Sequence, residues 1–531
     1  MQEFLKTHIV QHQKKCDDCT RNTENIDYTK RDKQLFPYNN YNRFGMEWVG
    51  IVEELEWAHL HGTEDKKIND KLFDVETGTL GMTSVNKSRM FLHSDSRIVK
   101  MGEYVHVLIE AYDNNGRKRN KGGDLFLPTM VNMDLRKSTA GRIVDYGNGT
   151  YSVFFYAAWV GDAYVKIQLH YTREAISLLK NVILAKEKLL NFDGYYKDGN
   201  DSYISNCSLV NEESWSDKCE YSNTHSMGKT AVVCRKPASF RCDQLLILKL
   251  SVDSLKAAAN NLTGGLAYMF DSQYHGSYIT NAPIKLGIID GTPHSPRLLP
   301  CGPDLPIPLS DGHWVNKVKF EPMVCRSQQW TEDEAQKCIS DKEFIVSGDS
   351  TVRQIKDCLS KNFSFTGFHN HFTVPRVGSL DVTVASDDIF ESDLIDNFTQ
   401  SNCQNKIGVV VLNMCFHFGM WSTRAYVERI YPAKRAIQRL IQKCPNTKIL
   451  IKLCNPRDNF TFEQRIHSNN WTFYNMNRIM RRIFGGMGVH FLDFWDLVVS
   501  SFTNNTIHMP WFVIYQEVHL MLSYICPHLV K

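Results

Sequence analysis

Between Glu343 and Trp495 a short run of strand-forming residues gives way four times to a longer stretch of different periodicity, and this alternation constrains the fold more than any other feature. "EFIVSG" precedes "DSTVRQIKDCLSKN", "KIGVVVLNM" precedes "AYVERIYPAKRAIQRLIQKC", and "TKILIKLC" precedes "FEQRIHSNNWTFYNMNRIMRRIF". "GVHFLDFW" then precedes a loop and a last helix. Strands that alternate with helices are joined by crossovers, so the region predicts a parallel sheet flanked by helices, an α/β domain over 321–531.

Upstream the pattern is different. Over 78–180 short alternating runs such as "YVHVLIEAYD", "TYSVFFYAAW" and "AYVKIQLHY" are separated by "NNG", "KGG" and "GNG". Regularly spaced turn signals of this kind predict a β-sandwich. In "DYGNGTYSVFFYAAW" the Asn-Gly pair suits a tight hairpin that needs positive φ, and Tyr151, Val153 and Phe155 would then share one face. Core packing explains those aromatics. The stretch 181–320 holds four grouped cysteines (Cys207, Cys219, Cys234, Cys242) and then "TPHSPRLLPCGPDLPIPLSDG", whose prolines disfavour helix and mark a connector. Residues 1–77 mix charged tracts with one amphipathic run, "FGMEWVGIVEELEWAHLH", that reads as a helix of unassigned purpose.

A chain of 531 residues exceeds what one core supports, in keeping with several domains. Its net charge of +3 offers no electrostatic reason to bind nucleic acid or an anionic membrane. No window is long and apolar enough to span a bilayer, and the opening "MQEFLKTHIVQHQKKCDDC" lacks the apolar run of a signal peptide. Fifteen cysteines and ten Asn-x-Ser/Thr sequons nevertheless point to a secreted or Golgi/ER-lumenal glycoprotein with disulfides, one whose true start differs from the given one. Zinc is the rival account of the cysteines. Only Cys16 and Cys19 stand as Cys-x-x-Cys, with no second pair at finger spacing, so no metal is expected.

Ligands of an open α/β sheet bind beyond the carboxyl ends of its strands. Three polar groups fall there: Ser350 in Gly348-Asp349-Ser350, Asn413 in "VVVLNMCFHFG", and His508 before "MPWF". Together they would supply a nucleophile, an oxyanion donor and a general base. Each has a plainer account. Ser350 could cap the helix that follows, Asn413 could be a turn residue, and His508 a loop residue. His369, His371 and His417 lie near the same edge without a carboxylate cluster, which argues against a metal.

These stretches, with "GGDLFLPTM", "GRIVDYGNGTYSVFFYAAWVGDAYVKIQLHY", "DGHWVNKVKFEPMVC", "FIVSGDSTVRQ" and "FLDFWDL", resemble the neurexophilin and PC-esterase domain-containing family, in order, over roughly residues 80 to 531. The resemblance implies an immunoglobulin-like, neurexophilin-type β-sandwich, a cysteine-containing connector, and an α/β domain of SGNH/GDSL (PC-esterase) type. It implies O-acetyl transfer or acyl-ester hydrolysis on glycans, including sialic acids. Acetyl-CoA would be the acyl donor of a transferase, with no tightly bound cofactor. Ser350 matches the family nucleophile, His508 the base and Asn413 the oxyanion-side asparagine. Gly367 is the candidate for the second-block glycine, with Gly378 in reserve. The wider superfamily has Asp three residues before the histidine, where this chain has Asn505, so Asp496 or Asp493 would have to substitute, or a Ser-His dyad would act alone. The alternative is an inactive secreted scaffold whose sandwich engages a cell-surface partner, as neurexophilins engage neurexins.

Overall fold

In the computed structural model the described residues are 81–530, apart from 181–190, 209–215, 223–230, 251–263, 281–283, 292–297, 299, 303–311, 369–380, 384–389, 402–406, 420, 459–460 and 505. The expected N-terminal helix and the Cys16/Cys19 pair lie outside them, as do Gly378, His369, His371 and Asn505.

Two sheets enclose the first core. One is antiparallel, in the order Arg89–Leu92, Tyr104–Glu110, Thr150–Tyr156, Arg142–Asp145. The other is built around Leu125–Asn132 paired with Gly161–Tyr171. Tyr151, Val153 and Phe155 all point into the shared core against Phe126, Met130, Val165 and Ile167. The hairpin turn takes its glycines at positive φ (Gly147 at 74°, Gly149 at 79°), and a Cβ on Gly149 would lie 2.4 Å from the Arg119 carbonyl oxygen.

The stretch read as a connector is folded into sheets instead. Its strand Ile284–Ile289 pairs antiparallel with Gly161–Tyr171, and Gly312–Asn316 pairs with Lys137–Ala140, extending the second sheet on both sides. Its cysteine-rich part forms most of a further sheet, ordered Lys218–Ser222, Ala231–Arg235, Asp201–Ser208, Asn191–Asp198, Leu245–Leu250, Asp381–Thr383. Disulfides Cys207–Cys234 and Cys219–Cys242 staple it. Most of the prolines that suggest a linker lie outside the described residues.

The α/β part has four parallel strands in chain order: β1 (Lys342–Ser347), β2 (Ile407–Leu412), β3 (Lys448–Lys452) and β4 (His490–Leu492). The helices are α1 (Ser350–Asn362), α2 (Thr423–Lys443), α3 (Asn470–Phe484) and α4 (Trp511–Ile525). The period of two divides the strands between two layers. Phe344, Val346, Val409 and Val411 pack with Val352, Ile355 and Leu359 of α1 and Val513 and Val518 of α4. Ile345, Val410, Leu412, Ile449 and Ile451 pack with α2 and α3 through Ile430, Ile437, Met476 and Ile479. Both faces of the sheet are buried, which is why its strands read as continuous apolar runs.

After α1 the chain returns to the free edge of β1, where Phe368 bridges Phe344 in parallel, before crossing to β2 on the other edge. Connections leave β1 in opposite directions, so the crevice of this sheet opens beyond the carboxyl ends of β1 and β2. Disulfide Cys415–Cys454 clamps the loops that follow β2 and β3 at that end, and Cys338–Cys526 fastens the helix Glu332–Ile339 to the end of α4.

The sandwich touches the α/β part directly. Ser138 Oγ donates to the Ser500 carbonyl, Trp314 Nε1 donates to Leu497 at 3.0 Å, and Tyr171 Oη donates to the Arg465 carbonyl at 3.0 Å.

Candidate active site

β1 ends in a turn that only glycine fits: Gly348 has φ 153°, and a Cβ there would sit 2.7 Å from both Cβ and O of Asn413. The Asn413 N–H donates to the Ser347 carbonyl at 2.9 Å, so the β1–β2 ladder continues through the turn. Asp349 comes next and is buried. Its Oδ1 accepts from the Thr351 N–H (2.9 Å) and Thr351 Oγ1 (2.6 Å), and its Oδ2 accepts from the Phe416 N–H (3.0 Å). Asp349 is therefore the cap of α1 and also ties that cap to the loop after β2.

With the capping position filled by Asp349, Ser350 is the first helical residue and its hydroxyl has another partner. His508 Nε2 lies 2.6 Å from Ser350 Oγ, across 158 residues of sequence. Helix α1 also fixes the histidine's segment. One turn beyond Ser350, Gln354 Nε2 donates to the Met509 carbonyl at 2.9 Å, and Met509 is buried in the core between α1 and α4. His508 itself is exposed and Ser350 half-buried, so the pair is open to solvent.

The remaining candidates are dispersed. Asn413 is fully buried, and its Nδ2 donates to the Lys452 carbonyl at 3.1 Å, joining the ends of β2 and β3. That occupies one of its two amide hydrogens. Gly367 is not at the site. Its carbonyl accepts from the Phe344 N–H, which places it along the middle of β1, about 13 Å of strand from Gly348 at ~3.3 Å per residue. The two candidate acids are engaged elsewhere. Asp493 Oδ2 accepts from Arg481 at 2.8 Å and its Oδ1 from the Trp495 N–H, while Asp496 Oδ2 lies 3.6 Å from an Arg142 nitrogen. Among the described residues no carboxylate bonds to His508.

Behind Asn413 lies a cluster that no motif or spacing in the sequence singles out. Lys452, fully buried at the end of β3, has Nζ 3.4 Å from Asn455 Oδ1, and Asn455 Nδ2 reaches Glu517 Oε1 of α4 at 3.3 Å. Burial pushes the Glu517 carboxyl above its ordinary range, against the pull of Lys452 and the Asn455 bond. His417 lies in a short turn after β2, and no group of three or more His, Cys, Asp or Glu among the described residues could hold a metal ion. No helix among them is long and apolar enough to cross a membrane.

Antiparallel sheets leading into a three-layer parallel α/β unit, with a serine–histidine pair beyond its strand ends, define the class of protein. Within that class, residues 90–257 match the neurexophilin family model, and residues 361–526 match the model described as NXPE family member 4-like, C-terminal domain. The chain belongs to the neurexophilin and PC-esterase domain-containing (NXPE) family. The second match includes Asn413 and His508 and begins eleven residues after Ser350.

Proposed function

We propose that this protein transfers or hydrolyses O-acyl groups on glycans through Ser350 and His508, in a domain of SGNH type that follows an immunoglobulin-like sandwich, within the secretory pathway or outside the cell. The observation that carries the reading is the 2.6 Å contact between His508 Nε2 and Ser350 Oγ. A hydroxyl at that distance can pass its proton to the imidazole as it attacks an acyl carbonyl. Ser350 Oγ forms the new C–O bond, and the leaving group of the donor departs with the proton held by His508. In a transferase the donor is an acetyl thioester such as acetyl-CoA, and a sugar hydroxyl, on sialic acid or another residue, then takes the acetyl group. Water takes that place in an esterase.

The oxyanion would be met by the Ser350 N–H at the start of α1, where the helix leaves amides unbonded, with the second Asn413 amide hydrogen as its side-chain supplement. Among the described residues no carboxylate meets His508, which favours a dyad of modest turnover. Replacing the aspartate of serine proteases by asparagine costs about 10⁴-fold. The same observation supports a second reading, an inactive scaffold that engages a cell-surface partner through its neurexophilin-like part.

A fluorophosphonate probe and mass spectrometry of glycan O-acetylation separate the two. We expect labelling of the folded wild type, lost in Ser350→Ala and at least a hundredfold slower in His508→Ala, with a change in O-acetylation that reverts in both variants. Its direction distinguishes transferase from esterase. Folded wild type that neither labels nor alters O-acetylation would establish the scaffold.

A further inference from the structure

Where the sandwich meets the α/β part there is a cavity of about 620 Å³. Its floor is the outer face of the strands Leu125–Asn132 and Gly161–Tyr171, and its far wall is formed by Asp458, Arg465, Asn470 and the run Val499–Asn504. Interdomain faces usually pack apolar groups, and Leu127 and Tyr171 on these strands do so. Beside them Lys166, Gln168 and His170 occupy alternate positions of one strand and turn the same face polar.

The polar groups are organised. The Asn470 amide (Nδ2) lies 3.1 Å from His170 Nδ1, which makes that nitrogen the acceptor. His170 Nε2 then donates to Gln168 Oε1 at 2.9 Å, and Gln168 Nε2 donates to the Gly276 carbonyl at 2.6 Å. His275 Nδ1 donates to the His170 carbonyl, which leaves its Nε2 as an acceptor. His170, His275 and Asn470 are 2 %, 7 % and 0 % exposed, so this chain is fixed before any ligand arrives. Burial holds both imidazoles neutral, His275 at about 4. Tyr278 adds a half-exposed aromatic ring to the lining, and the Lys166 ammonium, on the exposed floor, has no ion-pair or hydrogen-bond partner among the described residues.

We infer that this cleft binds the glycan, holding an acidic oligosaccharide partly on the sandwich, with Lys166 meeting a sugar carboxylate. Fixed donors and acceptors beside an aromatic face suit a hydroxyl-rich ring, and Lys166 and Arg465 against Asp458 leave one positive charge. The wall that ends at Asn504 runs on to His508, four residues and at most about 14 Å further. A sugar chain seated in the cleft would thus extend toward the Ser350–His508 pair. The inference rests on the acyl-transfer reading only for the chemical step that follows binding.

Binding is measured on full-length, glycosylated Ser350→Ala by saturation-transfer NMR, with 3′-sialyllactose as the acidic probe and lactose as the neutral one. We expect 3′-sialyllactose to bind more tightly than lactose, and Lys166→Glu to weaken it about tenfold or more with no change in melting temperature. Gln168→Ala should weaken both sugars. Unchanged affinity in Lys166→Glu, or no binding of 3′-sialyllactose, overturns the inference. Fluorophosphonate labelling of Lys166→Glu with Ser350 intact keeps the two readings apart. Labelling with unaltered sugar binding removes the cleft and leaves the nucleophile; lost sugar binding in a protein that never labels keeps the cleft and removes the nucleophile.

Discussion

Replacing Asp349 by alanine separates the two jobs that the Gly-Asp-Ser turn performs. The carboxylate accepts three hydrogen bonds, two from Thr351 and one from the Phe416 N–H, and it is 2 % exposed. Loss of the cap costs about 1 kcal/mol. The Phe416 N–H is buried and would be left without an acceptor, which adds roughly 1–3 kcal/mol. The sum is about 2–4 kcal/mol for Asp349→Ala. Asp349→Asn keeps one acceptor but turns an NH2 toward one of the donors, at a cost of roughly 1–3 kcal/mol. Ser350→Ala should stay within about 0.5 kcal/mol of wild type, because Ser350 caps nothing and is half-buried. Urea titration reads all three from the midpoint of the transition that reports the α/β part, with the slope unchanged. A reversed order, Ser350→Ala costing more than Asp349→Ala, would refute this division of labour.

Two further outcomes follow from buried groups. His519, whose Nδ1 accepts from the Trp330 N–H at 3.0 Å, is held at about 4 by burial, below its ordinary 6.5. The unfolded chain takes up a proton below pH 6.5 that the folded one refuses, so this stabilisation is complete above 6.5 and lost as pH falls toward 4. The loss is about 2 kcal/mol at pH 5. The gap in urea midpoint between wild type and His519→Gln should therefore narrow from pH 7 to pH 5, and a constant gap would contradict the assignment. Of the sequons, Asn470 is fully buried, its Oδ1 accepting from the Arg457 N–H at 2.8 Å, while Asn86, Asn148 and Asn206 are exposed. Peptide mapping of the folded protein, expressed with a signal peptide in a glycosylating host, should find Asn470 bare, and a glycan there would contradict the packing of α3.

The parallel sheet is visible in the sequence because its strands are buried on both faces and its helices carry a different period. Both signals are local. Strands such as Ile284–Ile289 hide because their partners lie more than a hundred residues away, and the prolines that follow argue only against helix in their own stretch. At the site, a strand followed by Gly-Asp-Ser locates Ser350, and position beyond the strand ends singles out His508, to which the resemblance adds the role of base. Which residue caps α1 could not be read, since Asp349 and Ser350 are both good caps and only the bond to Phe416 decides between them. Its place in the chain makes Gly367 the candidate for the second-block glycine, but the return of the backbone to the edge of β1 sets it beside Phe344. Asp493 and Asp496 are close in sequence to a strand end, yet Arg481 and Arg142 lie against them.

The order of the two partners along the chain bears on biosynthesis. Ser350 is made early in its domain, whereas His508 arrives 158 residues later, on the segment that leads into α4, and α4 is secured by the Cys338–Cys526 disulfide that spans 188 residues. A nascent chain that has completed the sandwich, β1 and α1 carries the serine without its imidazole. The pair can form only once the last helix has been made and has docked, and the Cys338–Cys526 disulfide then ties that helix to the segment just ahead of β1, so the two halves of the site are joined late although the serine is made early.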